Sequence, residues 1–574
     1  MMPTNQTFAP IQAFVDELAR CGLRYVVTCP GSRNAPLLLA VTSDKRLEPV
    51  SVIDERSAGF VALGIAKAGG RPVAVTCTSG TAAANLMPAV VEAREASVPL
   101  LVLTADRPPE LRDVGAGQSI DQLKLYGAAV KWFCEVGNHP PGHGAAMHYR
   151  SLACRAWFTS EDGRPGPVHL NFPLREPLAP VAEDGLDPAD WEGRPDGRPW
   201  VTVSDAPRDA TPTIIELLER DVSEAGRGAI VAGSTRYDIS QAAARLAAAT
   251  GWPLLAEPTS GVRCGPHDRS HVIAHYDVLL RSKQFAADHQ ADLVIRVGDT
   301  PTSKPLRAWL AGARQIVIDP DSSWHEPTRE AERIVTTAPD STCEMLAAAL
   351  EESLPPAPSD WATSWRMADA LVPQALASAP DPCEPRAYSA LAEALGDGEL
   401  VWVASSMPIR DVESFFPQTD SELRFLANRG ANGIDGTVSS ALGASIAAGR
   451  RAFLLTGELA LLHDVGGLLA FRRRRAELTI VCVNNGGGGI FDFLPVADSA
   501  EGALYLEHIV TPSGVNLEAL ADLAGLPHTL ARSTEDIRNA AGEPGLIEVR
   551  TDRDENVRIH RDLFEAVDSA LAAA

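Results

Sequence analysis

The feature that most constrains this chain is a rhythm. Short β-branched apolar runs alternate with longer Ala/Leu-rich segments of helical period, and the pattern recurs in each third of the sequence. Apolar runs without polar alternation must be buried on both faces, as happens when helices cover both sides of a parallel sheet. The expected fold class is therefore α/β, with doubly wound parallel sheets. Candidate strands in the first third are RYVVTC (24–29), PVSVID (49–54), PVAVTCTS (72–79), PLLVLTA (99–105) and PVHLNF (167–172). The middle third offers AIVAG (229–233), PLLAEP (253–258), LVIRVG (293–298), QIVIDP (315–320) and ERIVTT (332–337). The last third offers LVWVAS (400–405), RFLAN (424–428), AFLLTG (452–457), LTIVCVN (478–484) and GLIEVR (545–550).

Five strands per third are enough for three separate sheets, and 574 residues are long enough for three or four domains at roughly 150 residues each. Two stretches rich in Pro, Gly and Asp, 180–212 and 351–385, break the rhythm and read as extended connections. The expected domains are 1–182, 205–350 and 384–574.

Charge narrows the partners. Lys and Arg number 51 against 75 Asp and Glu, a net charge of −24 that repels phosphate backbones and anionic membrane surfaces. The nine cysteines are odd in number, widely spread and never spaced Cys-x-x-Cys, so neither a disulfide framework nor a zinc knuckle is indicated. The N-terminal residues lack the basic and apolar regions of a signal peptide, and no run approaches 18 apolar residues. The expectation is a soluble cytoplasmic protein without nucleic-acid or membrane partners.

The most informative segment is TGELALLHDVGGLLAFRRRRAELTIVCVNNGGGGIF, starting at Thr456. A strand runs into an acidic residue at a turn, a helix follows, and a second strand ends in Asn484 and Asn485 before four glycines. Ends of adjacent parallel strands emerge on one edge, which brings the Glu458 carboxylate near the Asn485 amide oxygen, 27 positions later. Both are hard oxygen ligands. Glycines 486–489 let backbone approach a ligand and offer N–H groups to phosphate oxygens. The combination suits Mg²⁺ bound to a diphosphate, although a buried turn followed by a Gly-rich loop would look the same.

This spacing resembles the cofactor motif of the thiamine diphosphate family, and the resemblance implies that Glu458, Asn485 and the carbonyl of Gly487 hold Mg²⁺ or Mn²⁺. Glu458 departs from the family, whose usual residue is Asp, so the metal geometry must accommodate one more methylene. A second resemblance lies in VSVIDERSAGFVALGIAKA, where Glu55 follows the second strand in the place of the glutamate that hydrogen-bonds N1′ of the cofactor's aminopyrimidine. TSGTAAANLMPAVVEA (78–93) resembles the family's helix after the third strand. The implied fold is three doubly wound parallel-sheet domains of the decarboxylase/carboligase type. The implied cofactor contacts are Glu55, Ser79, Gly80, Thr81, Ser406, Met407, Ile434, Gly457, Glu458, Leu459, Asn485, Gly486, Gly487, Gly488, Ile490 and Phe491. Because the family builds its site from two subunits, a homodimer or homotetramer with the cofactor at the interface is also implied.

Further segments resemble the branch of that family that joins 2-oxoglutarate to isochorismate in menaquinone biosynthesis. They are CPGSRNAPL (29–37), DERSAGF (54–60), TADRPPELRDVGAGQSIDQ (104–122), GPVHLNFPLREPL (166–178), SSMPIRD (405–411), ANRGANGIDG (427–436) and NNGGGGIF (484–491), with TSKP (302–305) the one local echo in the middle third. The implied reaction is decarboxylation of 2-oxoglutarate followed by conjugate addition of the succinyl unit to isochorismate. By the same resemblance, Ser406 and Arg410 receive the succinyl end, while Ser32, Arg33, Arg107, Gln118, Lys304 and Arg429 hold isochorismate. The chemistry agrees, since a guanidinium binds a carboxylate bidentately and the two substrates carry four carboxylates. Two other readings remain open: an acetohydroxyacid synthase-like carboligase, which would use pyruvate and a flavin, and a non-catalytic relative that binds a ligand. No Gly-x-Gly-x-x-Gly occurs in 200–350, which speaks against a dinucleotide there.

Overall fold

A computed structural model of the chain describes residues 5–139, 142–183, 186–204, 208–353, 360–474, 476–499 and 501–573. Its strands form three six-stranded sheets, each wholly parallel. The chain divides into two compact units. One comprises Met1–Asp205, Asn428–Arg450 and His463–Glu477; the other comprises Ala206–Ala427, Arg451–Leu462 and Leu478–Ala574.

The first unit carries β1 (Tyr25–Thr28), β2 (Glu48–Ser51), β3 (Val73–Cys77), β4 (Leu100–Asp106), β5 (Trp132–Glu135) and β6 (Val168–Pro173), in the order β2-β1-β3-β4-β6-β5. Every residue of β3, β4 and β6 is buried, as their continuous apolar runs require. Two helices of small residues, Glu55–Gly69 and Thr437–Ala448, cross in this unit. Gly64 faces the Ser440 carbonyl, 2.0 Å from where a Cβ would sit, and Gly443 faces the Val61 carbonyl at 2.2 Å. Only glycine permits backbones to pass this closely, which is why these helices carry so few large side chains at the crossing.

The second unit holds the other two sheets. One has β7 (Gly228–Ala232), β8 (Leu254–Ala256), β9 (Val272–Ile273), β10 (Leu293–Val297), β11 (Arg314–Ile318) and β12 (Ala331–Val335), in the order β12-β11-β10-β7-β8-β9. The other has β13 (Leu400–Val403), β14 (Arg424–Ala427), β15 (Ala452–Gly457), β16 (Leu478–Asn484), β17 (His528–Ala531) and β18 (Gly545–Arg550), in the order β14-β13-β15-β16-β18-β17, which repeats the strand order of the first sheet. Arg263, fully buried, donates to the Ala256 carbonyl at 2.8 Å and to the carbonyls of Val412, Glu413 and Phe416 at 3.0 to 3.1 Å. It thereby fixes the end of the Met407–Phe415 helix, whose first residues belong to the candidate site.

All fifteen candidate strands form. The three that the sequence pattern misses, β5, β9 and β17, are each the edge strand of a sheet. Edge strands are buried on fewer sides and need no long apolar run: every residue of β5 is only partly buried, and β9 has just two residues. The segment 351–385 also departs from expectation. Where an extended connection is predicted, helices Asp360–Asp369 and Leu371–Ala377 form, and Trp365 is fully buried, edge-on to Phe285 with ring centroids 5.1 Å apart. The prolines flanking DWATSWRMADALVPQALA hide its helical period. Residues 354–359 of that stretch lie outside the described residues, as do 184–185 and 205–207 of the other connection.

Candidate functional site

In both outer sheets the strand order reverses direction between the second and third strands from one edge, so the loops after β1 and β3, and after β13 and β15, flank a crevice at the carboxyl edge. The candidate residues cluster on those loops, and each unit presents its own set.

In the first unit, Gly31 after β1 passes so close to Thr78 after β3 that a Cβ there would lie 2.4 Å from the Thr78 Cβ. Asn34 holds this approach by donating to the Cys29 carbonyl at 2.9 Å and accepting from the Thr76 hydroxyl at 2.6 Å. Ser79 is buried; its hydroxyl donates to the Gln118 carbonyl at 2.9 Å and accepts from Arg107 at 2.8 Å. Gln118 returns a hydrogen bond to the Ser79 carbonyl at 3.0 Å. Gly80, at φ +84, precedes the Thr81–Asn85 helix and donates to Gln122 at 2.9 Å. Arg33 is buried, bonded to the Leu174 carbonyl at 2.8 Å, and leaves its Nε unpartnered. Burial and then the nearby Arg107 charge lower the Arg33 pKa. Arg33, Ser79, Arg107 and Gln118 are thus gathered, two cations around a polar floor.

Glu55 opens its helix behind Asp54, whose carboxylate caps the Arg56 N–H at 3.0 Å. Glu55 is half-buried, and burial, with a smaller push from the Asp54 charge, raises its carboxyl above the ordinary range. Ile434 and Arg429, both partly buried, lie on the loop before the Thr437–Ala448 helix. The loop is held by Glu92, which accepts from the N–H groups of Gly430 at 2.9 Å and Ala431 at 2.6 Å. A second buried carboxylate, Asp464, accepts from the Ser439 N–H at 2.6 Å and its hydroxyl at 2.9 Å, and burial pushes it up to about 6. Ser32 is exposed ahead of the Ala35–Ser43 helix.

In the second unit, Glu458 is buried at the end of β15 and accepts the Gly487 N–H at 2.5 Å. Burial pushes its carboxyl up to about 7 against the pull of the neighbouring N–H groups. Asn485 donates its amide N–H to Glu384 at 2.9 Å, which leaves its Oδ1 buried and without a partner. Glu384, itself buried, also accepts from the Thr551 hydroxyl at 3.0 Å. An orphaned amide oxygen and a desolvated carboxylate at neighbouring strand ends are a donor set suited to a hard cation. Gly486 and Gly487 take φ of +77 and +151, and a Cβ on Gly487 would lie 2.5 Å from the Val510 side chain. The Gly-rich loop therefore cradles by backbone alone. Gly457 and Leu459 flank Glu458, Gly488 donates to the Val510 carbonyl at 2.7 Å, and Ile490 and Phe491 follow in a 3-10 turn with Phe491 exposed.

Ser406, at φ +76, precedes the Met407–Phe415 helix, and its carbonyl accepts from Arg410 at 2.5 Å. Met407 is buried beneath it. Lys304 is exposed in the first turn of the Lys304–Leu310 helix. Three carboxylates that shape the loops, Glu92, Glu384 and Asp464, escape the sequence reading. Glu92 reads as the polar face of a helix, Glu384 as the end of a Pro-rich connection, and Asp464 as one of many helix-end acids; each gains meaning only from what it touches.

Comparison with known proteins bears on all three sheets. Residues 11–125 match the family described as thiamine pyrophosphate enzyme, N-terminal TPP binding domain; 190–379 match the middle domain of thiamine pyrophosphate; and 411–549 match thiamine pyrophosphate enzyme, C-terminal TPP binding domain. The chain is 44% identical to the 2-succinyl-5-enolpyruvyl-6-hydroxy-3-cyclohexene-1-carboxylate synthase of Thermobifida fusca, over 99% of this chain and 100% of that one. It is 42% identical to the synthase of the same name from Geobacillus kaustophilus, over 98% of each chain. Identity to the one from Chloroflexus aurantiacus is 41%, over 98% of this chain and 97% of that one.

Proposed function

The chain belongs to the family of 2-succinyl-5-enolpyruvyl-6-hydroxy-3-cyclohexene-1-carboxylate synthases, thiamine diphosphate enzymes, and from that premise we propose how its residues divide the work. The protein is a thiamine diphosphate-dependent carboligase that joins 2-oxoglutarate to isochorismate in menaquinone biosynthesis. When bound, the cofactor supplies the electron sink that lets CO₂ leave 2-oxoglutarate and the succinyl carbon act as a nucleophile.

The observation that carries the assignment of residues is the unpartnered Asn485 Oδ1 beside the buried Glu458. These two oxygens and the Gly487 carbonyl hold the divalent metal, Mg²⁺ or Mn²⁺, while the N–H groups of the Gly486–Gly488 loop face the diphosphate. Glu55, with its raised pKa, supplies the hydrogen bond to the cofactor's pyrimidine nitrogen. Ser79, Gly80, Thr81, Ser406, Met407, Gly457, Leu459 and Ile434 bound the cofactor, and Ile490 and Phe491 keep water from the reacting carbon. Arg410 and Ser406 bind the succinyl carboxylate. Arg33, Arg107, Gln118, Ser32, Lys304 and Arg429 bind the carboxylates and hydroxyl of isochorismate, with Arg33 and Arg107 already held by their loops. A second copy of the chain completes each site in a homodimer or homotetramer, in the cytoplasm. Among the described residues no helix is long and apolar enough to cross a membrane.

The test is CO₂ release from 2-oxoglutarate with thiamine diphosphate and Mg²⁺, with and without isochorismate, pyruvate serving as control. Release that depends strongly on isochorismate, with both substrates consumed into one adduct, is the expected result. In the same assay Glu458→Ala should require much more metal for cofactor binding, and an unchanged cofactor titration would remove Glu458 from the metal shell.

A further inference from the structure

Two cysteines 133 positions apart meet in the first unit, away from every residue assigned above. Cys21 is the last residue of the Phe8–Cys21 helix, and Cys154 lies within the His143–Glu161 helix packed against it. Their Sγ atoms are 3.7 Å apart. Glu17, one turn before Cys21, is fully buried, and its Oε1 is 3.5 Å from the Cys154 Sγ. Its other oxygen accepts from Arg150 at 2.7 Å. The N–H of Trp200 donates to Glu17, and that of Val201 donates to the Cys154 Sγ at 3.4 Å. A chain of donors therefore runs from the Cys21 thiol to the Cys154 thiol to a carboxylate. Cys154 is 1% exposed, whereas Cys21 is only partly buried.

Simple packing of two thiols needs no buried carboxylate, and a buried carboxylate that only anchors Arg150 needs no thiol against it. The three ligand atoms lie within 4.8 Å of one another, as a metal site would require. A cation is already present there, however, in Arg150, and backbone N–H groups occupy lone pairs that a metal would use. A dithiol uses the arrangement as it stands.

We propose that Cys21 and Cys154 form a redox couple, oxidised by a hydroperoxide to a disulfide that fastens the two helices and reduced again by a low-molecular-weight thiol. The Cys21 sulfur, on the less buried of the two residues, attacks the hydroperoxide; an S–O bond forms, the O–O bond breaks, and the alcohol leaves with the thiol proton. Cys21 is then a sulfenic acid. The Cys154 sulfur attacks it, forming the S–S bond and breaking the S–O bond. The Cys154 proton passes through Glu17 to the departing hydroxide, which leaves as water. Two thiols lose two electrons and two protons, and the peroxide gains them. Closing the pair brings the sulfurs from 3.7 Å to about 2.05 Å. The end position of Cys21 makes this movement easy, because Gly22 at φ +114 follows and the helix stops there.

The test uses the full-length folded protein treated with hydrogen peroxide, alkylated and mapped by mass spectrometry. The expected product is a peptide pair linked through Cys21 and Cys154 that dithiothreitol releases, while the other seven of the nine cysteines alkylate. Cys154→Ser should trap Cys21 as a sulfenic acid that dimedone captures, with little capture in the wild type, and Cys21→Ser should leave Cys154 unmodified. Glu17→Gln should slow disulfide formation several-fold at unchanged peroxide; if that variant does not fold, the two near-isosteric serine variants still decide. Cys21 advancing to sulfinic acid with Cys154 free would overturn the proposal. So would resistance of both thiols to peroxide that oxidises the urea-unfolded chain. Stoichiometric divalent metal in the purified protein, lost in both serine variants, would overturn it in favour of a metal site.

Discussion

Glu55, Glu458 and Asn485 are separated by more than 400 positions at the extremes, yet each sits where a parallel strand meets the following turn or helix, and strand ends are where an α/β sheet collects its chemistry. Their proposed roles are legible only through the resemblance of the flanking segments to the thiamine diphosphate family, because taken alone a buried turn or a solvated helix cap would place the same residues there. Glu384 is different. Its place in a Cys-Glu-Pro triplet says nothing, and it gains meaning from the Asn485 N–H it accepts at 2.9 Å, which fixes the amide and leaves Oδ1 unpartnered for the proposed metal. Partners that orient a metal ligand are worth about 10- to 100-fold in metal affinity. Glu384→Ala is therefore expected to raise the Mg²⁺ needed for half-maximal cofactor binding about tenfold or more, with Glu384→Gln largely restoring it; metal titration of cofactor binding reads both. For Glu55→Gln, the amide keeps shape but accepts and donates differently at the pyrimidine nitrogen. Cofactor affinity should stay within a few-fold while turnover falls by about 100-fold or more, measured as kcat in the CO₂ assay.

At the scale of elements, the crossing of the Glu55–Gly69 and Thr437–Ala448 helices sets where Glu55 begins and where the Ile434 loop ends. The Ala/Gly/Ser content of both segments is visible in the sequence; that they meet each other, nearly 400 positions apart, is not. Gly443→Val would drive a side chain toward the Val61 carbonyl, 2.2 Å from the added Cβ, and should cost about 1 to 3 kcal/mol or more as the helices are forced apart. Urea titration of the first unit's fluorescence would measure it. Asp464 ties the same helix through Ser439, and its carboxyl near 6 stands above the 3.8 of an unfolded aspartate. A raised pKa means that the folded state holds a proton that the unfolded state has released. The contribution is thus fully present below about pH 4 and is lost as pH rises through 6, by on the order of 3 kcal/mol. Asp464→Asn removes this dependence. Its stability relative to the wild type should rise between pH 4 and pH 7, and thermal unfolding at both values would detect the change.

The whole molecule repeats one sheet plan at its two ends and uses another in the middle, where β12-β11-β10-β7-β8-β9 is the order found in dinucleotide-binding sheets. The loops after β7 and β10 approach closely at that switch point. Gly233 after β7 lies against the Asp299 carbonyl after β10, 1.7 Å from where a Cβ would stand, and the Asp299 N–H donates to the Ser234 carbonyl at 2.9 Å. The turn after β7, Gly233-Ser234-Thr235-Arg236, is not the Gly-rich turn that cradles a pyrophosphate, since no Gly-x-Gly-x-x-Gly occurs in 200–350. The purified protein is therefore expected to lack flavin absorbance and to turn over 2-oxoglutarate with isochorismate without added flavin; flavin-dependent turnover of pyruvate would instead favour the acetohydroxyacid synthase-like reading. The sequence by itself determined fifteen of the eighteen strands, their parallel pairing, the α/β class and the positions of the motif that resembles the cofactor site. It could do so because buried runs and strand-end motifs are local patterns whose physical demands are met within a few residues. Only the tertiary structure decided the three edge strands β5, β9 and β17, the helices at 360–377, the carboxylates at 92, 384 and 464, and the meeting of Cys21 with Cys154. Those depend on which distant segment is packed alongside, and no local pattern encodes a neighbour supplied by the fold.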